Sequence, residues 1–203
     1  MNIDLMSFIK NHNIGNLQHI FLYYYIPKRY TDDVRYPSFT QETIEFQHNI
    51  WKFKDGMQQN WALDAIENVL GSLGYIGQAN SKLVLACIPA STKYANILRY
   101  RDFSQELCRR LNLQNSFDYI EIIKEKEPKH ISGCDTEAIL SFDRNFFAGK
   151  DVIIFDDIVT KGRSMFRFAQ QLHEVQAHPV ICCSLGYTYF PEKTTVDPIN
   201  PYT

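Results

Sequence analysis

Between Asp151 and Ala177 the chain reads DVIIFDDIVTKGRSMFRFAQQLHEVQA, and few arrangements accommodate that order of residues. Val152, Ile153, Ile154 and Phe155 make an unbroken run of β-branched and aromatic residues, as in a strand covered on both faces. The run stops at two carboxylates, Asp156 and Asp157. A short polar loop follows, Thr160-Lys161-Gly162-Arg163-Ser164, in which Gly162 is free to take a positive φ. Beyond it Met165, Phe168, Ala169, Leu172 and Val175 recur at helical spacing. Strand, acid pair, loop and helix in this order predict an α/β protein with a central, mostly parallel sheet flanked by helices.

The chemistry follows from where such a loop sits. A loop that opens a helix points unpaired backbone N–H groups, and the positive end of the macrodipole, at whatever lies above it, which makes a cradle for phosphate. Hydroxyls from Thr160 and Ser164 add hydrogen bonds to phosphate oxygens, and Lys161 and Arg163 raise the local positive potential. Two neighbouring carboxylates repel each other when nothing lies between them. A ligand rich in hydroxyl donors, or a cation with its waters, relieves that repulsion. A ribose 5-phosphate meets both demands, with its 2- and 3-hydroxyls on the acids and its phosphate in the loop.

Apolar strand ends followed by Asp-Asp also occur in receiver domains and in the second nucleotide motif of ATPases. A receiver carries its acids near the start, with roughly a hundred residues after them, whereas only 39 residues follow Ser164. An ATPase needs a Gly-x-x-x-x-Gly-Lys-Ser/Thr loop, and the chain has none.

Residues 152 to 164, VIIFDDIVTKGRS, resemble the signature of type I phosphoribosyltransferases: an apolar run, two acids, and a Thr-Thr-Gly-x-Thr-like loop that binds phosphoribosyl pyrophosphate. The resemblance departs at Lys161, where a small hydroxyl residue is commoner, and at Ser164, which replaces threonine; neither change removes a backbone donor. Further pieces resemble the competence-associated ComF type of phosphoribosyltransferase: WKFKDG, CIPAS followed by RYRDFSQELCRRL, and FDRNFFAGKDVIIFDD. The amino-terminal zinc-ribbon cysteines of many such proteins are absent, which takes away the basis for a zinc-dependent or DNA-uptake role.

The resemblance implies Mg²⁺-dependent transfer of a ribose 5-phosphate group to or from a nitrogenous base, with pyrophosphate as the leaving group. Asp156 and Asp157 would hold the ribose hydroxyls, favour positive charge on the sugar ring, and reach Mg²⁺ through water. Ser91, Thr92 and Lys93 would form the pyrophosphate loop, and residues 125 to 137 a hood in which Lys129 or His130 closes over the leaving group. The resemblance further implies a homodimer. The competing expectation is a regulatory or competence-associated accessory protein that binds phosphoribosyl pyrophosphate or nucleotide without turnover.

Composition narrows the partners. A formal net charge of −2 gives no support to a bulk electrostatic grip on nucleic acid. Cys87, Cys108, Cys134, Cys182 and Cys183 contain no Cys-x-x-Cys pair or zinc-like spacing, and three of them lie in apolar runs, as buried reduced thiols do. The start, MNIDLMSFIK, lacks a basic leader, and no apolar run is long enough to cross a membrane, so the expected location is the cytoplasm and no membrane partner is expected.

Along the chain, residues 1 to 50 are expected to be a hood or extension, 51 to 190 the catalytic-type α/β domain, and 191 to 203 an irregular tail. Within them the expected elements are a short helix carrying Ile3, Leu5, Met6, Phe8 and Ile9 and ending near Asn13-Ile14-Gly15, an aromatic strand at 19 to 26, and a strand and turn around NIWKFKDG. A helix at 57 to 73 and a strand at 82 to 90 follow, and the loop after that strand is expected to face the one at 160 to 164. Beyond it come a helix at 101 to 111, a strand at 119 to 123, a helix at 134 to 142 capped by Ser132, and a last strand at 179 to 187. The run Tyr23-Tyr24-Tyr25 reads either as core and interface or as a base-stacking surface.

Overall fold

A computed structural model of the chain describes residues 10–30, 40–78, 81–125 and 138–191. Six strands in these residues form one sheet: β1 (Lys10–Ile14), β2 (Leu17–Tyr25), β8 (His178–Thr188), β7 (Asp151–Val159), β3 (Leu83–Cys87) and β4 (Gln114–Asn115), in that spatial order. Every neighbouring pair runs parallel except the β1–β2 hairpin at one edge. The carboxyl ends of β2, β8, β7 and β3 therefore share one rim. A second sheet pairs β5 (Ile120–Lys124) antiparallel with β6 (Ile139–Phe142).

The helices cover the main sheet as the apolar runs of β3, β7 and β8 require. On one side α1 (Gln41–Lys54), α2 (Gln59–Ser72) and α3 (Lys93–Leu111) pack over Leu85, Ile153, Phe155, Ile181, Cys183 and Leu185. The short α4 (Arg144–Phe147) and α5 (Arg163–Glu174) cover Val84, Ala86, Val152, Ile154 and Cys182 on the other. At the centre of the first side Phe53, Tyr100, Phe103 and Phe155 are all fully buried. Their rings meet mostly edge to face, with centroids 4.8 to 6.3 Å apart; such pairs contribute about 0.5–1.5 kcal/mol beyond the area they bury.

Several expectations are corrected. Residues 49 to 56 are not a strand and turn: Lys54 ends a helix that begins at Gln41. The alternation of Trp51 and Phe53 with two lysines was outweighed by Phe46, Ile50 and Phe53 at i, i+4 and i+7, all buried, and by Thr40, whose hydroxyl caps the Thr43 N–H. A boundary at residue 50 thus falls inside α1, while β2 belongs to the main sheet. Residues 139 to 142 are a strand paired to β5, not the end of a helix. The helix expected at 101 begins at Lys93, where the Thr92 hydroxyl accepts from Ala95 N–H at 3.1 Å. The first expected helix, ending near Asn13-Ile14-Gly15, is replaced where the chain is described: Lys10–Ile14 are strand β1, held by antiparallel pairing with β2. Residues 1 to 9, Cys134 and its proposed cap at Ser132 lie outside the described residues, as does the tail from 192.

Elsewhere the elements fall close to their expected spans: β2, α2, β3, β5, β8 and the βα unit from 151 to 174. Cys87, Cys108, Cys182 and Cys183 are free and buried, and burial pushes the Cys108 and Cys182 thiols up to about 12, far from thiolate chemistry. Among the described residues no helix is long and apolar enough to cross a membrane.

Candidate functional site

Strand β7 does not stop at the acids, as its sequence suggests, but carries them and continues to Val159. Strict alternation would send neighbouring side chains to opposite faces. Around the acids that alternation slips: Phe155 and Ile158, three residues apart, both pack on the α1–α3 side, and Ile154 and Val159 both pack on the α5 side. Each acid also turns back on its own chain. Asp156 Oδ1 accepts the Asp157 N–H at 2.8 Å, and Asp157 Oδ1 accepts the Ile158 N–H at 2.6 Å.

Both carboxylates are met from α3. Arg99 Nη1 donates to Asp157 Oδ2 at 2.7 Å, and the Tyr100 hydroxyl lies 3.4 Å from Asp156 Oδ1. Lys54, the last residue of α1, brings its ammonium to 3.7 Å from Asp157 Oδ1. Asp157 is thus buried but neutralised, its side chain 6% exposed.

Asp156 is in a different position. Burial first, and the neighbouring Asp157 charge second, push its carboxyl well above the usual carboxylate range, against the weaker pull of Lys54 and Arg99. Its Oδ2 meets no donor among the described residues. Burial, followed by the two carboxylates, holds the Tyr100 phenol well above its ordinary value, so it stays a proton donor. Burial works against the Arg99 charge, but Asp157, Tyr100 and Asp156 together outweigh it and the guanidinium remains protonated.

The loop after β7 has the geometry of an anion cradle. Gly162 takes φ +72° and is buried, and a Cβ there would come within 3.1 to 3.3 Å of the Ile14 side chain, so the residue is fixed both by backbone and by the hairpin packed on it. From Gly162 the chain enters α5. None of the backbone N–H groups of residues 161 to 165 donates to another described residue, so this helix start presents a set of open donors. Thr160 Oγ1 lies 3.1 Å from the buried Thr188 hydroxyl, which ties the loop to the end of β8.

The two loops expected to face each other do so. Ser91 and Ser164 line one cavity of about 150 Å³, together with Pro89, Leu140, Arg167 and Gln171. Lys161, Gly162 and Arg163 line another of about 370 Å³ on the hairpin side, with Gly15 and Tyr187. Thr92 is occupied as the cap of α3, and Lys93 points to acids: its N–H donates to Glu125 Oε1 at 2.8 Å, and its ammonium lies 3.8 Å from Glu121 Oε1. Lys129 and His130 lie outside the described residues.

Lys54, Tyr100 and Glu125 are not singled out by the sequence, and Arg99 reads there, with Arg101, only as a cation at the entrance of the helix expected at 101 to 111, open to an anion or to solvent. The available signal for Arg99 and Tyr100 was the apolar spacing of Tyr100, Phe103 and Leu107, which turns the neighbouring Arg99 toward the sheet rim. That signal becomes readable only once α3 is known to start at Lys93.

These observations define a class: an open, mostly parallel α/β sheet with an acid pair and an amide-lined loop at the carboxyl rim, where ligands of such sheets bind. No family model and no curated protein matches the chain. Among solved structures it is similar to a purine phosphoribosyltransferase from Pyrococcus horikoshii Ot3, at 13% identity and a TM-score of 0.36, covering 70% of this chain and 91% of that one. It is also similar to an adenine phosphoribosyltransferase from Thermoanaerobacter pseudethanolicus ATCC 33223, at 12% identity and a TM-score of 0.41, covering 91% of this chain and 98% of that one. Similarity at this level leaves the functional reading to this chain's own residues.

Proposed function

We propose that the protein is a phosphoribosyltransferase that binds phosphoribosyl pyrophosphate and transfers its ribose 5-phosphate group to or from a nitrogenous base, releasing pyrophosphate. One observation carries the reading: a loop with open amide donors, held by a left-handed Gly162, directly follows an acid pair at the carboxyl rim of a parallel sheet. In this reading Thr160 to Ser164 grip the 5-phosphate, the acid pair faces the ribose, and Ser91 to Lys93 face the pyrophosphate.

The chemistry asked of these residues is alignment and charge stabilisation rather than covalent attack. As the bond to pyrophosphate breaks, the anomeric carbon becomes cation-like, and carboxylate charge beside the ring favours that state. Fixing the phosphate in the loop gives the sugar a pivot, so the base and the leaving group stay in line.

Mg²⁺ supplies charge neutralisation on the leaving pyrophosphate when bound. The residues fit it in one way only. Among the described residues no group of three or more His, Cys, Asp or Glu gathers as a metal site, and two cations face Asp157. The open Oδ2 of Asp156 is the oxygen that can meet a water of an ion held by the substrate phosphates, as Mg²⁺ commonly is.

We also propose a cytoplasmic location and, from the resemblance of residues 152 to 164 to the phosphoribosyltransferase signature, a homodimer, the latter checked by sedimentation. The deciding experiment measures binding of phosphoribosyl pyrophosphate with Mg²⁺ to the wild type and to the Asp156→Asn/Asp157→Asn double variant, followed by pyrophosphate release with a panel of purines and pyrimidines. Equal affinity in both proteins overturns the assignment. Tight binding that yields no pyrophosphate with any base reduces it to a binding module.

A further inference from the structure

The two acids do not share one environment, and the difference assigns them different work. Both oxygens of Asp157 are engaged by the protein: Oδ2 by Arg99 at 2.7 Å, and Oδ1 by the Ile158 N–H at 2.6 Å with the Lys54 ammonium 3.7 Å away. Asp156 spends one oxygen on the Asp157 N–H and the Tyr100 hydroxyl, and its Oδ2 meets no donor among the described residues. Arg99 is itself anchored. Its Nε donates to the Lys54 carbonyl at 3.3 Å, at the carboxyl end of α1 where a cation is favoured, and its side chain is only 17% exposed. Gln59 Nε2 donates to the Arg99 carbonyl at 3.4 Å and fixes the same turn of α3 from α2.

We infer that Arg99 is a positioning residue that commits Asp157 to the protein and leaves Asp156 as the single carboxylate that reads the sugar hydroxyls. The inference rests on the phosphoribosyl reading above and refines it. A ligand hydroxyl competing for Asp157 would have to displace a short charge-assisted bond from a half-buried guanidinium, the strong class of hydrogen bond. Oδ2 of Asp156 needs no such displacement. Arg99 ties together the end of α1, the middle of α3 and the acid pair on β7, so it sets where the open oxygen of Asp156 stands relative to the phosphate loop. A single reading carboxylate also makes the sugar contact depend on one side chain rather than on two that share the load.

The experiment separates the sugar contact from the phosphate contact. Affinities for inorganic phosphate and for ribose 5-phosphate are measured by calorimetry on the wild type, Asp156→Asn, Asp157→Asn, Arg99→Gln and Arg99→Lys, and the ratio of the two affinities reports the sugar. Asp156→Asn is expected to lower that ratio by about tenfold and leave phosphate binding unchanged. Asp157→Asn, whose amide oxygen still accepts from Arg99, is expected to hold the ratio within about threefold of wild type. Arg99→Gln is expected to lower it, and Arg99→Lys to restore part of the loss.

A readout without ligand accompanies this. The changes in Tm for Arg99→Ala and Asp157→Ala, each of which removes the bond, are expected to be strongly non-additive in the double variant, as for two partners in one bond. A tenfold loss of the ratio in Asp157→Asn with none in Asp156→Asn overturns the assignment, and so do additive Tm changes. Wild-type protein that binds ribose 5-phosphate no better than phosphate removes the phosphoribosyl reading itself, an outcome distinct from either of those.

Discussion

The backbone N–H of Lys93, at the start of α3, donates to the Glu125 carboxylate at 2.8 Å. An anion of the protein's own therefore sits on the amide of the loop that faces the phosphate cradle, with Glu121 drawing the Lys93 ammonium the same way. Under the proposed function, pyrophosphate has to displace Glu125. Glu125→Gln removes a carboxylate from a helix start and is expected to strengthen binding of inorganic pyrophosphate on the order of threefold to tenfold. Titration calorimetry at constant ionic strength checks this, and weaker binding in the variant contradicts it.

The raised Asp156 carboxyl fixes a pH dependence. A carboxyl whose pKa stands near the ordinary value of about 4 when unfolded, and is pushed up to about 8 in the fold, binds more protons in the native state throughout that window. The slope of stability against pH is then negative. The contribution is fully present below pH about 4 and is lost as pH rises through about 8. Asp156→Asn is expected to flatten the fall in Tm between pH 5 and pH 8, and an unchanged slope argues against the assignment. Binding of a hydroxyl-bearing sugar phosphate needs the ionised form and is expected to strengthen over the same interval.

Gly162 stands at φ +72°, with the Ile14 side chain where a Cβ would go. Gly162→Ala is expected to cost roughly 1–2 kcal/mol of stability in urea unfolding, from the left-handed backbone plus the contact. Gly162→Val is expected to cost more, because a β-branched residue tolerates that conformation least. In both variants phosphate binding is expected to fall further than stability, since the loop amides lose their aim.

Phe155 joins the core to the site. It is fully buried against Phe53, Tyr100 and Phe103, and the next residue is Asp156. Phe155→Ala is expected to destabilise by about 3–5 kcal/mol, and Phe155→Leu by much less. Chemical denaturation measures both; near-equal losses would show that this ring cluster does not hold the strand.

The βα unit was legible because its local signals agree. An apolar run, a break, a loop with one glycine and an amphipathic helix each point to the same element, and the Gly162 conformation was readable from residue type alone. Residues 41 to 54 were misread because Trp51-Lys52-Phe53-Lys54 alternates like a half-buried strand, while the helical spacing that decides the matter needs Phe46 and Ile50 as well. Ile139 to Phe142 form a strand only because β5 is there to pair with them, which no local pattern announces.

The site was legible in part for the same reason. The acids and the loop are contiguous in sequence, whereas the cations that set the acids' charge come from the end of α1 and the second turn of α3, 58 residues from Asp157 in the case of Arg99. Contacts of that kind depend on how helices pack, and packing is fixed by the whole core rather than by any stretch of it.

The pairing of β2 with β8 has a consequence for how this molecule comes into being. His19 stands opposite Cys182 and Tyr25 opposite Thr188, so a strand near the amino terminus is held in the middle of the sheet by one translated long after it. Until that later strand pairs with it, the hairpin keeps an aromatic-rich edge unpaired, and joining segments so distant in sequence is the kind of non-local closure that slows folding.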